Sequence, residues 1–215
     1  MSRSIFYYFG IALLALCPAA KATTFHFDTA PFAGTNVTSI PGRQIVGGEQ
    51  FISFSSATDI FSINAGVFGV GAHVNFVNGP AGAIPGDANV VVLETFDNDN
   101  NPGTPFGAGQ AADLIASRVT AHEAGFFIYF NQSLNLPRLV YSTDLASNTA
   151  DLQILARMLN LTGAEGQNAM PNITTRNFDI TTTPEPSSIS MLASFLLASG
   201  GFVGVRRIRR GKTQA

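Results

Sequence analysis

Phe126-Phe127-Ile128-Tyr129-Phe130 is an unbroken run of large apolar and aromatic residues, bounded by Gly125 and Asn131. Successive side chains of a strand point to opposite faces, so such a run is apolar on both faces and belongs at the centre of a sheet. Aromatic and β-branched side chains also suit the pleated backbone. The chain has no tryptophan, the usual sugar-stacking residue, so core packing rather than a ligand platform accounts for these aromatics.

Outward from this run, short apolar or alternating segments recur at Thr24 to Phe27, Gln50 to Ser55, Ile60 to Ile63, His73 to Val77 and Val90 to Thr95. They continue at Leu114 to Val119, Arg138 to Ser142, Leu152 to Met158 and Phe178 to Thr181. Turn formers separate them, among them Pro41-Gly42, Gly47-Gly48, Asn78-Gly79-Pro80, Pro85-Gly86-Asp87 and Asn101-Pro102-Gly103. Phe51 and Phe54, on one segment, face opposite ways. Without a sustained helical period, the pattern predicts a mainly β fold, an antiparallel β-sandwich of jelly-roll type. Leu152 to Leu161 alone is ambiguous, because Leu152, Leu155, Ala156 and Leu159 also fit a helical stripe.

Both ends of the 215-residue chain read differently from the middle. Arg3 precedes the apolar run Ile5 to Cys17, Pro18 ends it, and Ala20-Lys21-Ala22 follows. These are the basic, apolar and small-residue regions of a secretory signal peptide, so signal peptidase is expected to cut after Ala22 and leave Thr23 first. The single cysteine, Cys17, follows Leu16 rather than the small residue a lipidation site needs. Removal of the signal therefore leaves no thiol for disulfides, metal ligation or nucleophilic attack.

At the other end, Pro184-Glu185-Pro186-Ser187-Ser188 leads into the apolar stretch Ile189 to Val205, followed by Arg206, Arg207, Arg209, Arg210 and Lys212. From Ser187 to Val205 a helix rising about 1.5 Å per residue spans about 28 Å, close to the ~30 Å hydrocarbon core of a bilayer. The cationic cluster holds its end of such a helix in the cytoplasm, which leaves everything before it outside. The expected organisation is a signal helix over 1–22, a β-sandwich ectodomain over 23–180 and a linker over 181–188. A transmembrane helix over 189–205 and a basic cytoplasmic tail over 206–215 complete it.

Pro-Glu-Pro, a short serine step, an apolar helix and an arginine-rich end together resemble the PEP-CTERM sorting domain, over about residues 183 to 210. The resemblance implies that the chain is exported and held in the inner membrane as a precursor, its ectodomain outside the cytoplasm. An exosortase, a membrane-embedded cysteine protease, would then process it for the cell envelope or an exopolysaccharide matrix. Carried over, Pro184, Glu185 and Pro186 are the recognition motif, Ile189 to Val205 the transient anchor, and Arg206, Arg207, Arg209 and Arg210 the stop-transfer end.

Between the two ends there is no lysine, and five arginines face thirteen acidic residues, a net charge of −8 over residues 23–180. A surface of that sign repels nucleic acid. Catalytic patterns are sparse. His122-Glu123 opens like a zinc-protease helix, but Phe126 stands where the second histidine is required. Neither a Gly-x-Ser-x-Gly elbow nor a phosphate-binding Gly-x-x-x-x-Gly-Lys loop occurs. His26 and His73 lie far apart on strand-like runs.

Asp97, Asp99 and Asn101 place oxygen side chains at alternate positions, like the opening of a Ca2+ loop. The glycine comes one place late and Ala108 stands where the bidentate glutamate is needed, so the match is incomplete; no cofactor is otherwise expected. Asn36, Asn131, Asn160 and Asn172 match the N-glycosylation pattern. Two functional classes follow: a non-enzymatic surface or matrix protein, associated with extracellular polysaccharide, and a secreted, glycan-directed hydrolase on a β-sandwich. A pocket with converging His, Asp, Glu or Ser side chains would separate the second from the first.

Overall fold

The computed structural model describes residues 21–35 and 43–181. The expected sorting motif at Pro184-Glu185-Pro186, the apolar stretch to Val205, the arginine cluster and Ala20 lie outside the described residues. Among the described residues, no helix is long and apolar enough to cross a membrane.

The described chain is mainly β. Its strands are β1 (Thr24–Phe27), β2 (Ile45–Val46), β3 (Gln50–Ile52), β4 (Ile60–Asn64), β5 (Phe76–Gly79), β6 (Val90–Leu93), β7 (Gly125–Asn131), β8 (Leu136–Ser142), β9 (Leu152–Met158) and β10 (Phe178–Thr181). Three short helices, α1 (Ala65–Phe68), α2 (Ala108–Ala116) and α3 (Gly163–Ala169), interrupt them. A seven-stranded sheet has the order β2-β9-β8-β7-β6-β5, with β3 also on β9, and a three-stranded sheet has the order β1-β4-β10.

The aromatic run forms β7, and every residue of that strand is buried. Its alternation explains the layering. Phe126, Ile128 and Phe130 share one buried cluster with Phe61 and Ile63 of β4 and Phe178 and Ile180 of β10. Phe127 and Tyr129, on the opposite face, share a second with Ala111, Ala112 and Ile115 of α2. Thus the small sheet covers one face of the large sheet and α2 covers the other. Each fully buried phenylalanine contributes about 1.5–3 kcal/mol by leaving water. Phe54 and Phe61 stack at 4.6 Å between centroids at the heart of the first cluster, whereas Phe51 is 65% exposed, as their opposite facing requires.

The antiparallel jelly roll is not what forms. Of the eight strand pairings among the described residues, only β7–β8 and β8–β9 are antiparallel. The physical reason is legible in β6: Val90, Val91, Val92 and Leu93 are all buried, the continuous apolar pattern of a parallel strand covered on both faces. Parallel neighbours need a crossover, most often helical. That between β6 and β7 contains α2, so the segment Leu114 to Val119, expected as a strand, instead ends a helix and its exit turn. Its buried Ala111, Ala112 and Ile115 follow helical spacing.

Smaller corrections have local causes. The strand expected from His73 begins at Phe76, because Asn89 holds the preceding segment with its side chain. Its Oδ1 accepts from Asn75 N at 2.8 Å and its Nδ2 donates to His73 O at 2.7 Å. The ambiguous Leu152 segment is strand β9, ending in a turn at Leu159. Between β2 and β3, which both pair with β9, Gly48 takes φ 123°, a conformation that only glycine adopts readily.

Candidate functional site

The end of the large sheet where β7 begins and β8 finishes carries the one His–Asp contact among the described residues. In the β7–β8 ladder Gly125 pairs with Ser142. That register brings together His122, just before β7, and Asp144, just after β8, with Nδ1 2.8 Å from the Asp144 carboxylate. His122 is 74% exposed at its side chain and Asp144 28%. Asp144 is held by its own loop: its Oδ1 accepts from Ala146 N at 2.9 Å, and its carbonyl accepts from Ser142 Oγ at 3.0 Å.

This pair borders an open depression of about 570 Å3, lined also by Phe68, Glu123, Tyr141 and Thr143. A carboxylate on Nδ1 fixes the imidazole tautomer and leaves Nε2 free to take a proton. Among the described residues, however, Nε2 has no hydrogen-bond partner, so no hydroxyl is aligned there as a nucleophile. His122-Glu123 lies in a loop, not on a zinc-protease helix.

A second depression, of about 320 Å3, lies between the segment after β1 and the strand edge at β2 and β3. His26, Asp28, Gln50 and Gln153 give it a polar lining over Phe68 and Leu155. Gln153 also fixes the wall, accepting from Phe32 N at 3.1 Å.

Among the described residues, Glu49 is the most enclosed acidic partner in an ion pair, its side chain 7% exposed. It sits in the loop between β2 and β3 and pairs with Arg138 of β8 at 3.0 Å and with Arg157 of β9. Burial pushes the Glu49 carboxyl up, but backbone N–H donors at Glu49 and Gly48 and the two guanidinium groups outweigh it and leave the pKa lowered. Arg157 in turn lies 5.3 Å over the exposed Phe51 ring, and Tyr129 Oη accepts from Asn131 Nδ2 at 2.9 Å nearby. This charged knot ties the β2–β3 loop to two strands, β8 and β9, and nothing in the sequence spacing joins position 49 to 138 and 157.

The sequence-predicted Ca2+ residues form a row of turns. Asp97 Oδ1 accepts from the N–H groups of Asp99 and Asn100 at 3.1 Å. Asp99 Oδ1 accepts from Asn101 N, and Asn101 Oδ1 from Gly103 N, each at 2.9 Å. The Asp99 N–H is the main reason the Asp97 carboxyl titrates below its ordinary value. Among the described residues, no group of three or more His, Cys, Asp or Glu side chains is placed to hold a metal ion.

Ala22 and Thr23, predicted to flank the signal cleavage, are exposed and immediately precede β1. Thr23 is already bonded into the fold: its N–H donates to Asp59 Oδ1 at 2.9 Å and its carbonyl accepts from Ile60 N at 3.0 Å. Comparison with family models, with curated proteins and with solved structures finds no match.

Proposed function

We propose that this chain is an exported, non-enzymatic surface or matrix protein, its two-sheet, sandwich-like domain delivered through a PEP-CTERM-type tail and associated with extracellular polysaccharide. The observation that supports the reading is the fit of the folded domain between the two processing signals. Among the described residues, Thr23, which is expected to follow the signal cut, is the first whose backbone is bonded to the domain. At the other end β10 (Phe178–Thr181) reaches the last described residue, three positions before Pro184 in the sequence. Proline cannot donate to a strand ladder and is disfavoured in a helix interior, so two prolines one residue apart would favour an extended approach to the membrane, open to the proposed protease.

The test is to change Pro184, Glu185 and Pro186 together to alanine in a host with the matching exosortase. A membrane-held, unprocessed precursor is the expected result; trimming and release like the wild type would reduce the tail to an ordinary single-span anchor. A second reading, the glycan-directed hydrolase, draws on the His122–Asp144 contact at 2.8 Å. It requires that purified protein release reducing ends from a polysaccharide and that His122→Ala abolish the release.

A further inference from the structure

Asp59 is the chemical anomaly of the small sheet. Its residue is 4% exposed, yet among the described residues no cationic side chain lies within ion-pair distance of its carboxylate. Ser55 N donates to Oδ2 at 2.9 Å, Thr58 Oγ1 to Oδ1 at 3.0 Å and Thr23 N to Oδ1 at 2.9 Å. All three donors are neutral in the uncut chain. A buried carboxylate without a counter-charge is costly. The one donor that proteolysis can ionise is Thr23 N, the atom that a cut after Ala22 turns from a peptide nitrogen into an α-amine.

We infer that removal of the signal completes this domain: the new α-ammonium of Thr23 becomes the missing cation of Asp59, converting a hydrogen bond from an uncharged donor into an ion pair. The inference rests on the proposed cleavage after Ala22. Hydrolysis of the Ala22–Thr23 peptide bond adds one water, leaves the carboxylate on Ala22 and the amine on Thr23, and the amine takes up a proton at neutral pH. No atom of the domain has to move far, because the donor already stands at bonding distance. The position is consequential, since Asp59 immediately precedes β4, the middle strand of the small sheet, and Thr23 immediately precedes β1, paired with β4 from Thr24↔Ile60 onward. The pair thus fastens the outer strand to the central one at the first rung of their ladder. Before cleavage the carboxylate at this rung is met only by an uncharged amide donor, and the ammonium adds the Coulombic attraction between opposite charges that an amide lacks.

The experiment is a two-by-two comparison in the chain from Thr23 to Ala215, purified in detergent. One form begins at Thr23, freed by a protease that cuts immediately before it; the other retains Ala22. Each is made with Asp59 and with Asp59→Asn. The Thr23 form is expected to melt about 2–6 °C above the Ala22 form, and the difference should vanish with Asp59→Asn. Equal melting temperatures in the two Asp59 chains, or a difference that survives the substitution, would overturn the pair. Should Asp59→Asn not fold, amide exchange of the two unsubstituted chains decides. β1 amides should be protected roughly tenfold more in the Thr23 form, and equal protection rejects the inference. Amino-terminal sequencing of the exported protein tests the underlying reading separately. A start other than Thr23 overturns the maturation step even where the prepared Thr23 chain shows the ion pair, whereas a Thr23 start with no stabilisation rejects the pair alone.

Discussion

The phenol of Tyr141 donates a buried hydrogen bond of 2.8 Å to the carbonyl oxygen of Phe68, joining a central strand of the large sheet to the helix that ends β4. Their rings also meet edge to face at 5.1 Å, and burial pushes the Tyr141 hydroxyl up from its ordinary pKa. The contact therefore couples two sheets through one neutral hydroxyl.

Tyr141→Phe keeps the ring and removes only that bond, leaving a buried carbonyl without its donor. The expected cost is about 1–2 kcal/mol, read as a fall of the melting midpoint by about 2–8 °C for a domain of this size. An unchanged midpoint would show that water replaces the phenol.

Gly125 opens β7 under a tight ceiling. A Cβ built there stands 2.5 Å from the carbonyl oxygen of Asn89 and even closer to Leu145 Cδ1, and that carbonyl already accepts from Phe126 N. Gly125→Ala is expected to destabilise by roughly 3 kcal/mol in urea denaturation, with a matching loss of the Gly125↔Ser142 register that holds His122 and Asp144 together.

Glu49→Gln strands Arg138, whose side chain is 12% exposed, beside a neutral partner. Loss of about 3 kcal/mol is expected, more than for the exposed Asp113→Asn at the Arg43 pair. The pH dependence has a definite sign: the folded pKa of Glu49 lies below its ordinary 4.5, so its stabilisation is complete above that value and fades as pH falls through the folded one. Stability measured from pH 6 to pH 3 should therefore fall less steeply in Glu49→Gln than in the wild type.

Calcium at millimolar concentration is expected to leave the melting temperature where it is, because the carboxylate oxygens of Asp97 and Asp99 already accept backbone N–H donors. A rise that disappears in an Asp97→Ala/Asp99→Ala variant would establish the loop as a cation site by mass action on the folded state.

Much of this arrangement is readable from residue order, and the exceptions share a cause. Phe126 to Phe130 announces a doubly covered strand because no residue in it tolerates water on either face. The run Val90 to Leu93 carries the same message, but turn residues around it favour an antiparallel reading, and only the partners' directions decide. The α2 segment hides its period because alanines carry its buried stripe and Gly107 and Gly109 suggest a loop. His122 and Asp144 are individually unremarkable; the hairpin register makes them neighbours. The Asp97 loop is legible as a run of turns, and its oxygens do what such residues ordinarily do for their own backbone.

β10 runs parallel to β4 and ends at Thr181, opposite Asn64, whose side chain caps α1 by accepting from Val67 N at 3.3 Å. Phe68, the last residue of that helix, lines both depressions. Thr181, the last described residue, and the two recesses therefore lie toward one pole of the domain. From Thr182 to Ser188 a fully stretched leash reaches at most about 25 Å. On a chain tethered through the proposed tail, that reach would limit how far the pole could stand from the bilayer and so how much room a bulky polymer would have to enter. Trimming near Pro184 would then do more than set the domain loose: it would lift that limit on the approach to both recesses.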